Sequence, residues 1–170
     1  MEQLATASAW TSPEVVRTIL TILGIGVAIV SVLSVRNTAK KKQTADLLFG
    51  LRTDEKFVKG IAELRELHQS NQNMRLLADR KRKEYTDNKN KVENIRYILN
   101  HYERLSVGLR RKIYHEPMLK ESQYNIVTKI YDWAHPFIEG VREDTKSDTA
   151  YQDFEILAKR WKKRPLKVKR

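Results

Sequence analysis

The stretch TILTILGIGVAIVSVLSVRNTAKKKQ, residues 18–43, decides the fold: its first eighteen residues carry no charge, and Arg36 and the run Lys40, Lys41, Lys42 follow them. A helix rises about 1.5 Å per residue, so a hydrocarbon layer of roughly 30 Å takes about 20 apolar residues to cross. Residues 15–35 supply them, and their one charge, Arg17, lies close enough to the upstream end to snorkel into headgroups. Ser12 is placed to cap the helix, Pro13 suits its first position, and Glu14 suits the positive end of its dipole. Trp10, just outside, is the amphipathic ring expected at an interface. The pattern predicts a transmembrane helix over residues 13–35, after a short external N-terminus of residues 1–12 and before a basic juxtamembrane collar of residues 36–43.

Two other readings of this stretch stand beside the anchor, a cleaved secretory signal and the core helix of a soluble protein. Val32-Leu33-Ser34 loosely matches a small-residue cleavage site, but a signal carries its positive charge ahead of the apolar run, and here the charge follows it. Positive charge beside a span stays on the cytoplasmic side. Arg36 and the three lysines therefore place the N-terminus outside and the bulk of the chain in the cytosol.

The chain has 170 residues, so about 130 remain beyond the anchor, enough for one modest domain with a single core. It contains no cysteine, which rules out a disulfide scaffold and thiolate zinc sites. A net charge of +12 invites a nucleic-acid role, but its distribution argues otherwise. Residues 43–158 hold 20 Lys and Arg against 19 Asp and Glu, whereas residues 36–42 add +4 and residues 159–170 add +8. The body is nearly neutral, and the basic character belongs to the collar and the tail. A general DNA-binding face would spread its cations over the domain.

Beyond the collar the periodicity is helical. Ala45, Leu48 and Leu51 step by three, a turn is expected around Thr53 and Asp54, and Phe57, Ile61, Leu64 and Leu67 resume the helical period. After a polar break at residues 69–73, Met74, Leu76, Leu77 and Ala78 predict a short helix running into RKRKEY, with TDNKN from Thr86 as a solvated loop. Val92, Ile95, Ile98, Leu99, Tyr102, Leu105, Leu109 and Ile113 form the clearest one-sided stripe. Pro117 begins a further helix whose apolar face includes Leu119, Ile126, Ile130, Ala134, Phe137 and Val141, with a kink expected at Pro136. Ser147 or Asp148 is the expected cap of a last helix carrying Tyr151, Phe154, Leu157 and Trp161, which Pro165 ends. No alternating strand pattern appears. The fold class is all-α: one N-terminal transmembrane helix, then a small cytosolic bundle of four to six helices over residues 44–162, and a basic tail, residues 163–170.

The segments YILNHYERLSVGLRRKIYHEPML, IYDWAHPFIEGVRE and FEILAKRW resemble a family of small bacterial and prophage proteins known only as a domain of unknown function. Its members have an N-terminal membrane helix, a helical cytosolic domain and the pattern Leu-Asn-x-x-Glu with a Gly five residues on, filled here by Asn100, Glu103 and Gly108. The resemblance covers roughly residues 45–162 and implies the fold, a bacterial setting and hence the inner membrane. It carries no catalytic residues to transfer.

Asn100 and Glu103 lie one turn apart beside the apolar stripe and are read as a structural polar pair, with Glu103 accepting hydrogen bonds from a neighbouring helix or an arginine rather than acting as an acid or base. His68, His101, His115 and His135 are scattered; Asp132 and His135 share a face, and His101-x-Glu103 matches part of a deaminase signature whose cysteine pair is absent. No metal or other cofactor is expected. Gly24, Ala28 and Ser31 form a small-residue face suited to close helix contact and self-association. The basic runs at residues 80–83 and 110–112 read as solvated faces. Arg36, Lys40, Lys41 and Lys42 of the collar, and Lys162, Lys163, Arg164, Lys167, Lys169 and Arg170 of the tail, are candidate contacts to anionic lipid. The function expected is a membrane-anchored, non-enzymatic module with an unknown protein partner. A membrane-disturbing oligomeric effector and nucleic-acid binding through the tail are the alternatives.

Overall fold

A computed structural model of the chain describes residues 12–70 and 72–167. Helix α1 runs without interruption over Pro13–Thr53. Ser12 begins it as expected: its Oγ accepts from the Val15 amide at 3.4 Å and its carbonyl from the Val16 amide at 3.1 Å. Within the apolar run the hydroxyls of Thr18 and Thr21 donate back to the carbonyls of Glu14 and Arg17, at 2.8 and 2.9 Å. Both polar side chains are thus satisfied inside the helix, as a non-aqueous setting requires. The chain divides into two compact units, Met1–Lys40 and Lys41–Arg170. The described part of the first is α1 alone, with its large apolar side chains exposed.

The second unit is helical throughout, and no strand occurs among the described residues. The last turns of α1 join its core through Leu51 and through Thr44, whose hydroxyl accepts from the His115 amide at 2.8 Å. Next come α2 (Glu55–Gln69), a 3-10 turn (Leu76–Ala78), α3 (Lys83–Asp87), α4 (Lys89–Arg110), α5 (Glu116–Thr145) and α6 (Gln152–Lys163). Helix α4 packs on α2 and α6, and α5 packs on the same two, so the four long helices close a ring around one core. Leu64, Ile95, Leu99, Phe137, Phe154 and Trp161 are among its fully buried members. Gly60 allows α2 and α4 to meet closely, since a Cβ there would lie 2.8 Å from the Asn94 carbonyl and from Cγ2 of Ile98.

The turn expected at Thr53 and Asp54 is a shared cap. Asp54 accepts from the Phe57 amide at 2.9 Å with one oxygen and from the Tyr97 hydroxyl at 2.6 Å with the other. The Tyr97 hydrogen bond, then the Phe57 amide, hold the Asp54 carboxyl below the usual carboxylate range.

Several boundaries differ from the sequence expectation. The segment after Met74 forms only a single 3-10 turn before α3 starts at Lys83, and the expected loop from Thr86 is a tight α3–α4 junction at Asn88. Helix α4 stops at Arg110, so Ile113 lies beyond it and is exposed. The stop is a double-bonded C-terminal turn, with the Ile113 amide on the Gly108 carbonyl and the Lys112 amide on that of Leu109, while Lys112 takes φ 58°. Helix α5 ends the same way at Lys146, φ 51°. Both left-handed positions, where glycine is usual, carry lysine. Helix α5 passes through Pro136 unbroken, with Ala134, Phe137 and Ile138 buried on either side of it. Ile126, expected on the buried face, is exposed.

Neither Ser147 nor Asp148 caps α6. Tyr151 precedes it at φ 58° and offers no side-chain cap. The capping group comes from α4: the Glu103 carboxylate accepts from the amides of Asp153 at 3.2 Å and Phe154 at 2.7 Å. These are the second and third residues of the helix, the amides a cap normally satisfies. Around this joint Arg142 of α5 binds Glu155 at 2.6 Å, Glu139 at 3.0 Å and the Ala150 carbonyl at 3.0 Å. Burial raises the Glu155 pKa, but hydrogen bonds from Lys159, Arg142 and Tyr131 outweigh it and hold the carboxyl at about 2.

Two outcomes follow for the detergent-solubilised chain. Glu103→Ala leaves two helix amides without an acceptor and lowers unfolding free energy by about 1–3 kcal/mol, with faster hydrogen exchange at Asp153 and Phe154. Glu103→Gln, which keeps one acceptor oxygen, loses less; wild-type stability in both variants would remove the cap from the fold's essentials. Because the folded pKa of Glu155 lies below its ordinary 4.5, its contribution is complete above that pH and disappears as pH falls toward 2. In an acid titration Glu155→Gln therefore shows a shallower loss of stability over that window than the wild type.

Candidate functional site

The apolar run of α1 is the first surface with a chemical requirement. Its best 18-residue window has a mean hydropathy of 2.5, and none of that window is buried. Leu20, Val27 and Val35 are 62, 67 and 68% exposed. The helix is long and apolar enough to cross a membrane. Gly24, Ala28 and Ser31 are exposed along it, and the Cβ position of Gly24 opens into space. Arg36, Lys41 and Lys42 are exposed and Lys40 is half-buried. Trp10 and the rest of residues 1–11 lie outside the described residues.

Of the tail cations, Lys162 is committed to the bundle: it pairs with Asp132 and its ammonium stands 5.5 Å from the centre of the Tyr131 ring. The helix extends one residue beyond the expected domain end, to Lys163, so the start of the basic stretch is structured. Arg160 pairs with Glu116 at 2.6 Å, and the same Glu116 oxygen accepts from the buried Trp161 indole at 2.9 Å. The Arg164 carbonyl accepts from the Lys120 ammonium. Lys163, Arg164 and Lys167 are exposed, while Lys169 and Arg170 lie outside the described residues. The basic runs read as solvated faces are exposed at residues 80–83, with Arg82 3.3 Å from Asp79; Arg110 pairs with Asp153 at 3.0 Å.

Asn100 and Glu103 do not form a pair. Asn100 is exposed, whereas Glu103 is half-buried with both oxygens occupied by α6 amides. That occupation is the arrangement of a structural carboxylate, since a general acid or base needs an oxygen turned toward a substrate. The histidines serve separate local roles. His115 caps α5 by accepting from the Met118 amide at 3.3 Å. His101 packs edge-on to Phe57 and Tyr102, and burial, with Arg104 adding to it, holds its imidazole below the usual range. His135 packs against Tyr131 and His68 against Trp133. Among the described residues no three His, Asp or Glu side chains gather in a way that would hold a metal.

A second surface is visible only in three dimensions. The end of α1 (Leu48, Leu51, Arg52), the start of α2 (Phe57, Val58, Ile61) and α5 (Ser122, Gln123, Ile126) enclose a groove of about 410 Å³. Val58 and Ile126 stand 53 and 40% exposed at it, and Phe49 on the adjoining turn of α1 is 66% exposed. Oε1 of Gln123 is buried with no hydrogen-bond partner among the described residues. No sequence signal separates it from the core, since Ile126 is expected on the buried face of its helix.

No curated protein and no solved structure matches the chain. A family model does: the domain of unknown function DUF4760, over residues 18–161. That match begins inside the apolar run rather than at residue 45, so it takes in residues 18–35 of the membrane-spanning candidate. It takes in most of the chain, and the protein is therefore a member of the DUF4760 family.

Proposed function

We propose that this protein is a membrane-anchored helical module that acts by binding another macromolecule at the cytoplasmic face of a bacterial inner membrane, and not by catalysis. The observation that carries the reading is the exposed apolar run, which shares one helix, α1, with residues packed in the bundle core. A soluble core helix buries its apolar stripe, and this one buries none of its best window. A cleaved signal leaves the mature chain, whereas α1 runs past Ser34 and ends with Thr44 and Leu51 buried. The side chains best suited to chemistry are engaged in holding helices: Glu103 caps α6, His115 caps α5, and Glu155 binds three partners.

Orientation follows from the collar. Arg36, Lys40, Lys41 and Lys42 keep the following domain cytoplasmic, and each cation near an anionic leaflet contributes about 1 kcal/mol, screened over about 8 Å. The exposed tail cations Lys163, Arg164 and Lys167 add to that attraction. The nearly neutral body between collar and tail leaves the domain surface to a protein rather than a nucleic-acid partner.

The protein is expected in the membrane fraction and to resist alkaline extraction. In spheroplasts an N-terminal tag is cleaved by external protease and a C-terminal tag is protected. Reversed protection overturns the orientation, and a soluble product lacking the first 34 residues restores the secretory signal. Replacing Arg36, Lys40, Lys41 and Lys42 with glutamine exposes a fraction of the C-terminal tag, because the orienting charge is gone.

A further inference from the structure

The groove walled by residues 48–52 of α1, by α2 and by α5 has a shape and a charge that specify an occupant. Its lining is mainly apolar, and Val58 and Ile126 are 53 and 40% exposed at it. The helix faces that wall it run on beyond the enclosed part. On α5 the face that contains Ser122 and Ile126 continues to Trp133, eleven residues on, or about 16 Å and three turns. On α2 the face of Val58 and Ile61 continues to Arg65, whose guanidinium lies 5.5 Å from the Trp133 ring. Three turns is the run over which an amphipathic helix sets anchors at i, i+4 and i+7 into a groove.

The charge is one-sided. Arg52 lines the groove, Arg65 stands one turn beyond Ile61 against the Trp133 ring, and Lys129 is exposed one turn beyond Ile126. Among the described residues none of the three has a carboxylate partner. Arg160 with Glu116 and Arg142 with Glu155 show the cross-helix pairing that these three lack. At about 100° per residue, Asp46 and Glu121 fall away from the lining faces of their helices, while Glu55, one turn before Val58, is a single acid against these three cations. The chain's own basic tail is the wrong sign to fill the site.

We propose that this groove docks an acidic amphipathic helix of a partner protein, with apolar anchors between Val58 and Ile126 and carboxylates facing Arg52, Arg65 and Lys129. This rests on the reading of the protein as an interaction module and gives that module its partner chemistry.

The lack of cysteine allows one clean label. The full chain carrying Ala62→Cys, tagged with a polarity-sensitive dye beside the groove, is reconstituted in nanodiscs of zwitterionic lipid. It is titrated with three synthetic peptides of about five turns: a Leu-faced helix with a Glu-rich polar side, the same face with a Lys-rich side, and a scrambled Glu-rich sequence. The Glu-rich helix should bind at least about tenfold more tightly than either control, and Ile126→Glu should abolish binding. Arg52→Glu combined with Arg65→Glu should transfer the preference to the Lys-rich helix, a gain that misfolding does not mimic. Equal binding of both amphipathic peptides, no binding, or a preference unmoved by charge reversal overturns the proposal. Self-association of the labelled chain that Ile126→Glu removes makes a second copy the occupant and also overturns it. Membrane fractionation reads the anchor separately, so a chain that binds the acidic helix yet is not membrane-bound refutes the anchor alone.

Discussion

Eighteen uncharged residues on an exposed helix set the terms for the rest of the molecule. Apolar surface is favoured out of water by roughly 25 cal/mol per Å², and none of the best window of α1 finds cover within its own chain. The run is long and apolar enough to cross a hydrocarbon layer, the cover we propose for it. The polar details agree with that setting. Thr18 and Thr21 return their hydroxyl protons to the helix backbone, and charge resumes only at Arg36. Once one helix is committed in this way, the remaining chain needs its own closed core, and it obtains one from four helices arranged in a ring.

The ring closes through carboxylates more than through loops. Asp54 serves α2 and Tyr97 of α4, Glu103 of α4 serves the first turn of α6, and Glu116 of α5 serves Arg160 and Trp161 of α6. Each joins two helices and satisfies a donor that the helix start or the core would otherwise strand. This accounts for a body that is both rich in charge and nearly neutral. Its acids are structural partners for amides and cations, which leaves the positive excess to collar, tail and groove rim.

Much of this architecture was legible in the residues because buried stripes obey a fixed period. Val92, Ile95, Ile98, Leu99, Tyr102, Leu105 and Leu109 are all buried, as their spacing requires. Glu103 was also legible as an acceptor for a neighbouring helix, though its partner was not, because the amides it meets are fifty residues away. Helix ends were read poorly where the usual markers are missing. Lysine occupies the left-handed positions after α4 and α5, and a tyrosine precedes α6, so neither glycine nor a capping side chain marks the boundary. The groove was illegible for a different reason: Leu48, Val58 and Ile126 each look like core residues locally, and only the packed bundle leaves the latter two open.

Tethering changes how strong a groove of this size has to be. A cleft of about 410 Å³ with three cations offers far less contact than a standard protein interface. In free solution such a site would hold a single helix weakly. On the proposed reading, a domain anchored to a membrane meets a partner on the same surface at a raised effective concentration, so weak intrinsic affinity would suffice for occupancy. Unpaired cations also act before contact, because they speed the encounter of an oppositely charged partner over roughly a Debye length. The same cations reject a basic segment, which keeps the chain's own tail out of the cleft. Under that proposal an anchored module gains more from charge selectivity than from additional buried area: the membrane would supply proximity, and the rim would decide which neighbour stays.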